Sequence, residues 1–223
     1  MKTLEFLKEY PMLIASNMGE DVFATIMVMC PGLSTPKLGK ILNRAVSYLE
    51  KDEIYCEIGT YCGYTLISSA YHNQEICLGI DNHMLCGLKT EKTEQEKVKN
   101  RLFFNLNLMG SRNIRFISSD YKEIALQEKV GVFYIDGEHT REEAYRNLKW
   151  GHEFLADKAL IFVDDISSCG VGDGIKDWVK DHEEEYNEVF RMNVFYDKDK
   201  AEGTQWNPVF WNGLSIIEFN RKK

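Results

Sequence analysis

Paired cysteines, extended basic runs and long apolar stretches are all missing from this sequence, and each absence excludes a class of protein. Six cysteines are present, Cys30, Cys56, Cys62, Cys77, Cys86 and Cys169, but none forms a CxxC pair. Zinc ligation is therefore not expected. No extended basic run accompanies the formal net charge of -8, which argues against a nucleic-acid backbone as partner. No apolar stretch approaches the ~18 residues of a membrane span. The opening MKTLEFLKEY carries charges throughout, unlike a signal peptide. The expectation is a cytoplasmic protein with reduced thiols, partnered by neither membrane nor nucleic acid. A length of 223 residues suits one domain with an added subdomain. The division expected is a helical cap over 1–50 and a ligand-binding domain over 51–223.

What is present centres on Ile54–Gly63, IYCEIGTYCG. A short apolar strand runs into a loop with Gly59 and Gly63, and a helix opens at Tyr64. A glycine loop before a helix N-terminus suits a ligand that needs close backbone approach. Upstream, Val22, Phe23, Ile26 and Met29 have helical spacing, CPGLSTP at Cys30–Pro36 breaks it, and Lys37–Leu49 forms a further helix. Downstream the pattern alternates. Strands are predicted at Ile54–Ile58, Ile76–Ile80, Ile114–Ile117, Val130–Ile135 and Ala159–Val163. Helices are predicted at Tyr64–Tyr71, Thr93–Met109 and Tyr121–Glu128. Two more follow Thr140, which with Glu143 makes a capping box, and Asp173, read as a helix cap. Val189–Tyr196 and Leu214–Phe219 have no helix between them and are predicted to pair antiparallel. The loop Asp197–Asn212 holds Trp206, Phe210 and Trp211 and is expected to pack over a pocket or an interface. The fold class is α/β, a doubly wound, Rossmann-like, mostly parallel sheet of seven strands with an antiparallel last strand and N-terminal helical additions.

Acids recur at the predicted strand ends: Glu57, Asp81, Asp120, Asp136 and the pair Asp164–Asp165. In open α/β sheets that carboxyl edge is where ligands bind. Asp81, some 20 residues beyond the glycine loop, is placed to accept hydrogen bonds from ribose hydroxyls. His83 beside it reads as a rim or surface residue.

CEIGTYCGYT (Cys56–Thr65), LGIDNH (Leu78–His83), FISSDY (Phe116–Tyr121), FYIDGEHTREEAYRNLKW (Phe133–Trp150) and IFVDDI (Ile161–Ile166) together resemble the class I S-adenosylmethionine-dependent methyltransferases. Within that class the Ile-Asp-Gly-x-His stretch and the Val-Asp-Asp strand end resemble small-molecule O-methyltransferases of the sugar, macrolide and catechol type. The resemblance implies that Glu57, Gly59 and Gly63 line the methionine portion of S-adenosylmethionine. It implies that Asp81 holds the ribose, and that Asp120 and Tyr121 lie near the adenine. It also implies that Asp136, Asp164 and Asp165 ligate Mg²⁺ or a similar divalent cation, for which oxygen-only ligation is suited. Three carboxylates so close would otherwise repel. His139 stands where catechol O-methyltransferase has its catalytic lysine. It is a candidate base alongside Asp136, or a residue hydrogen-bonded to a backbone group at the helix start.

The function expected is therefore cation-assisted methyl transfer to a hydroxyl of a small-molecule acceptor, with homo-oligomer formation compatible. Two alternatives stand beside it. One is a catalytically silent cofactor-binding or assembly protein of the same fold. The other is an NAD-type enzyme, against which the incomplete G-x-G-x-x-G pattern argues.

Overall fold

From Glu53 onward, apolar strands and amphipathic helices build a single sheet in which the first strand of the chain carries the glycine loop. The computed structural model describes residues 2–84, 92–110, 112–193, 210 and 212–222. Its strands are β1 (Glu53–Ile58), β2 (Cys77–Ile80), β3 (Ile114–Ile117), β4 (Lys129–Ile135), β5 (Leu155–Asp164), β6 (Tyr186–Met192) and β7 (Leu214–Asn220). They lie in the order β3-β2-β1-β4-β5-β7-β6. The first five are mutually parallel, and β7 runs antiparallel to both neighbours. The helices are α1 (Thr3–Ala15), α2 (Glu20–Met29), α3 (Pro36–Val46), α4 (Tyr64–Ala70), α5 (Lys92–Met109), α6 (Arg141–His152) and α7 (Val171–Asp181). Among the described residues no single helix is long and apolar enough to cross a membrane.

Side-chain alternation along the strands feeds two cores. On one face Ile54, Cys56, Phe133, Ile135, Ile161 and Val163 pack with α6 and α7. On the other, Tyr55, Val132, Tyr134, Leu160 and Phe162 pack with α1 and α3. Leu38, Ile41, Leu42 and Val46 of α3 are all buried there. At ~1.5–3 kcal/mol for each buried aliphatic side chain, that face contributes on the order of 6–12 kcal/mol. This far exceeds the ~1 kcal/mol of a helix cap such as Thr35. The N-terminal helices thus share a core with the sheet.

α1 continues through Pro11. Its end is held by Lys37, whose Nζ donates to the Ile14 carbonyl at 2.7 Å, and by Lys40, which donates to Ser16 at 2.8 Å. The helix expected over Tyr121–Glu128 shrinks to one 3-10 turn, Tyr121–Glu123. Ile124 and Leu126, two apart, both pack on the core, and Trp150 Nε1 donates to the Ile124 carbonyl at 3.0 Å. Those contacts require extended chain. Asp173 lies in the first turn of α7, while Gly170 (φ +88°) is the capping residue. β5 begins four residues earlier than expected and β6 three, because Leu155 and Tyr186 are core residues. Of the aromatic loop, Trp206 and Trp211 lie outside the described residues, as does Cys86. Phe210 is buried with its ring centroid 6.0 Å from that of Phe190, so it belongs to the core.

Candidate active site at the carboxyl edge of the sheet

β1 delivers Glu57 and then the glycine loop. Gly59 has φ +87°, and a Cβ there would stand 2.0 Å from the Asp136 carbonyl oxygen; no other residue fits. Gly63 (φ +91°) caps α4, where a Cβ would meet Leu102 Cδ1 at 2.8 Å. The loop is tied to the end of β2. Asp81 Oδ2 accepts from the backbone N–H of Thr60 at 2.9 Å and of Tyr61 at 2.7 Å, and its Oδ1 accepts from the N–H of His83 at 2.5 Å.

Glu57 is fully buried. Its Oε2 accepts from the Tyr55 hydroxyl at 2.6 Å, while Oε1 has no hydrogen-bond partner. Burial is the chief cause that lifts its pKa from the ordinary carboxylate value to about 8, against the opposing hydroxyls of Tyr55, Thr60 and Thr65. A buried carboxylate with one orphan oxygen is expensive to leave unmatched.

Beside the glycine loop opens a cavity of about 730 Å³, within the size range of small-molecule sites; Glu57, Gly63 and Asp164, expected at the site, are not among the residues that line it. Gly59, Asp81, Asp120, Tyr121, Asp136 and Asp165 line it. Asp120 caps the 3-10 turn by accepting from the N–H of Lys122 at 3.0 Å. The hydroxyl of Tyr121 donates to Glu143 Oε1 at 2.5 Å, and Lys122 Nζ lies 2.7 Å from the same oxygen.

At the other end, β4 and β5 are neighbours and bring their acids together. Tyr134 separates them into two groups. His139 Nε2 lies 2.9 Å from Asp165 Oδ2 and 3.6 Å from Asp136 Oδ1. Ligand atoms of these three residues all lie within 4.8 Å of one another. Asp164 is turned inward: its Oδ2 accepts from the Tyr134 hydroxyl at 2.6 Å, and its Oδ1 from the N–H of Asp165 at 2.9 Å. The same hydroxyl is 3.2 Å from Asp136 Oδ2. The expected set of Asp136, Asp164 and Asp165 is therefore not the set that converges. His139 takes the third place, because φ +53° at Asp165 swings successive side chains apart and Tyr134 offers Asp164 a buried donor.

The charges follow. Burial opposes protonation of His139, but the hydrogen bonds to Asp136 and Asp165 outweigh it and raise the imidazole to about 11. Burial, with Asp165 nearby, lifts Asp136 to about 6 despite His139. Burial and its two acidic neighbours push Asp164 well above the ordinary carboxylate range. His139 is thus the cation of an otherwise acidic corner.

Among the cavity-lining residues that the sequence did not point to are Ser34, Glu143 and Asn147. Glu143 carried only a capping signal, and Ser34 lay in a stretch read as a helix break. His83, read as a rim or surface residue, lines the cavity and is only 7% exposed.

A parallel sheet with a reversed β7 and a ligand-sized cavity at its carboxyl edge defines the Rossmann-like methyltransferase fold. Residues 56–166 match the model of a family described as "Methyltransferase domain", and over that span the chain belongs to it. Among solved structures, the chain is similar to the O-methyltransferase TomG from Streptomyces achromogenes in complex with SAM. The identity is 12%, covering 92% of this chain and 91% of that one, with a TM-score of 0.61. It is similar to cofactor-bound Rv0187 from MTB at 14% identity, covering 96% of each chain, with a TM-score of 0.63. An rRNA methylase from Streptococcus thermophilus shares the fold at 11% identity, covering 80% of this chain and 94% of that one, with a TM-score of 0.54. No curated protein matches the sequence.

Proposed function

We propose that this methyltransferase transfers the methyl group of S-adenosylmethionine to a hydroxyl of a small molecule. The observation that carries the reading is His139, held between Asp136 and Asp165 in the same cavity as the Gly59–Gly63 loop. The cofactor brings an already activated methyl group, so the protein has to align an oxygen with it and help remove one proton. Two features support the cofactor. The left-handed turn at Gly59 lets the backbone approach a ligand closely at the cavity wall, and Asp81, Asp120 and Tyr121 line the cavity where ribose and adenine would lie. TomG, bound to SAM, supplies the same fold with O-methyltransferase chemistry.

In this reading Asp136 and Asp165 orient the imidazole, whose Nε2 faces them. With His139 held as the cation between them, Asp136, whose carboxyl loses its proton at about 6, takes the proton that methyl transfer releases from the acceptor hydroxyl. The donor chemistry also fits a divalent cation held by Asp136, Asp165 and His139. When bound it would lower the acceptor hydroxyl's pKa and fix its direction. A set of two carboxylates and one imidazole is softer than the oxygen-only set expected from the sequence, and accommodates Mn²⁺- or Fe²⁺-class ions as well as Mg²⁺. The net charge of -8 favours a small acceptor over RNA, although an rRNA methylase shares the fold.

The test is titration calorimetry with S-adenosylhomocysteine and NAD, followed by labelled-methyl transfer from S-adenosylmethionine to catechol and monosaccharide probes with and without EDTA. Binding of the homocysteine compound and transfer to a hydroxyl are expected. Binding of NAD alone sinks the reading, and cofactor binding without transfer to any acceptor favours a silent cofactor-binding protein.

A further inference from the structure

Asp81 is assigned above to a ribose, yet most of its hydrogen-bonding capacity is already spent. A carboxylate offers about four lone-pair sites. Three are taken by the backbone N–H groups of Thr60, Tyr61 and His83. A ribose has two vicinal hydroxyls, and one remaining site on Asp81 can accept from only one of them. The second hydroxyl needs another acceptor within reach.

We propose that His83 Nδ1 is that acceptor, so that the ribose is held by the pair Asp81 and His83. The inference rests on the cofactor reading above. Nδ1 is buried, has no hydrogen-bond partner and lies 3.9 Å from Asp81 Oδ1. That distance is too long for a bond between them, but it lets one diol address both. The ring is fixed in place before any ligand arrives. Its Nε2 pairs with Ser118 Oγ at 3.0 Å, and the ring lies against Phe116 with centroids 5.7 Å apart. With Nε2–H donating to Ser118, Nδ1 carries the lone pair, and both His83 and Asp81 line the cavity. A backbone φ of +59° at His83 is a conformation that non-glycine residues seldom adopt. An unpartnered buried nitrogen costs stability unless a ligand completes it.

The experiment is titration calorimetry of the full chain with S-adenosylhomocysteine and its 2′-deoxy and 3′-deoxy analogues. Wild type is expected to bind each deoxy analogue about tenfold more weakly, the loss of one hydrogen bond to a buried partner. His83→Phe keeps the ring packing and loses the acceptor. It should bind the parent compound about tenfold more weakly and no longer distinguish one of the two analogues. His83→Asn restores an acceptor at a similar place and tolerates the positive φ, so it should recover the wild-type pattern. If His83→Phe does not fold, His83→Ala gives the same readout. Full discrimination at both hydroxyls in a variant lacking the acceptor overturns the role of His83 alone. Failure of wild type to bind S-adenosylhomocysteine overturns the cofactor reading, and this inference with it.

Discussion

The α-carbon of Gly59 faces the backbone carbonyl of Asp136 so closely that a Cβ would stand 2.0 Å from its oxygen. The glycine loop and the acid ending β4 are therefore one rigid unit, further joined by the hydrogen bond from Asp136 N–H to the Ile58 carbonyl at 2.9 Å. Cofactor floor and proton-handling corner are built on the same contact. Gly59→Ala is expected to displace both. Gly110, also at positive φ (+59°) but with nothing within 4 Å of its would-be Cβ, provides the control. Gly110→Ala should cost only the left-handed backbone penalty, ~1–2 kcal/mol. Gly59→Ala should cost at least ~2 kcal/mol more and also abolish cofactor binding. Urea unfolding of the two variants measures the difference; equal losses would show that the contact carries nothing.

Glu57 gives a pH signature in the ligand-free protein. Its folded pKa stands at about 8, raised chiefly by burial, above the unfolded value of ~4.3. A raised carboxylate contributes stability that is fully present below the unfolded pKa and lost as pH rises through the folded one. Between about pH 4 and pH 8 this residue should therefore erode stability by a few kcal/mol. Glu57→Gln should melt higher than wild type at pH 8 and no higher at pH 4.5, while binding S-adenosylhomocysteine more weakly. Thermal melts at the two pH values decide it: parallel curves for the two proteins would mean that Glu57 is not the group being charged.

Tyr134 stands between Asp164 and Asp136, and its hydroxyl is the only side-chain donor recorded for Asp164 among the described residues. Tyr134→Phe should destabilise by roughly 1–3 kcal/mol, the cost of stranding a buried polar group. Because the hydroxyl also reaches Asp136, turnover should fall together with stability. A melting temperature unchanged from wild type would place Asp164 in contact with water.

Much of this was legible in the sequence because the fold's signals are local. Period-two and period-3.6 patterns located the strands and most helices, and the glycines at 59 and 63 marked the loop before any coordinate was needed. The reversed β7 followed from two strands with no helix between them. What stayed hidden depends on side-chain direction. Nothing local shows that Asp165 would adopt φ +53°, that Tyr134 would claim Asp164, or that His139 would complete the acid pair. The missing helix after Tyr121 was likewise decided by tertiary packing of Ile124 and Leu126, which overrides a weak polar helical pattern. For His83 the sequence leaves rim and surface open, and burial selects the rim.

The last prediction separates the two ways in which the strand-end acids could act. If Asp136, Asp164 and Asp165 formed an oxygen-only cation site, Asp164→Asn and Asp165→Asn would damage turnover alike. The geometry instead pairs Asp165 with His139 at 2.9 Å and places Asp164 behind Tyr134, only 6% exposed. Asp165→Asn should therefore lower turnover by ~10²-fold, the scale of a misplaced general base. Asp164→Asn, which preserves shape and an acceptor for Tyr134, should lower it by less than ~10-fold. Both variants should bind S-adenosylhomocysteine like wild type, since neither acid reaches the loop that holds it. Assays with and without EDTA complete the comparison. Loss in EDTA with the Asp165 effect dominant identifies a cation held by Asp136, His139 and Asp165, and full activity in EDTA leaves His139 and its two acids to handle the proton alone. Equal and severe damage in both variants would falsify the division of the acids that Tyr134 imposes.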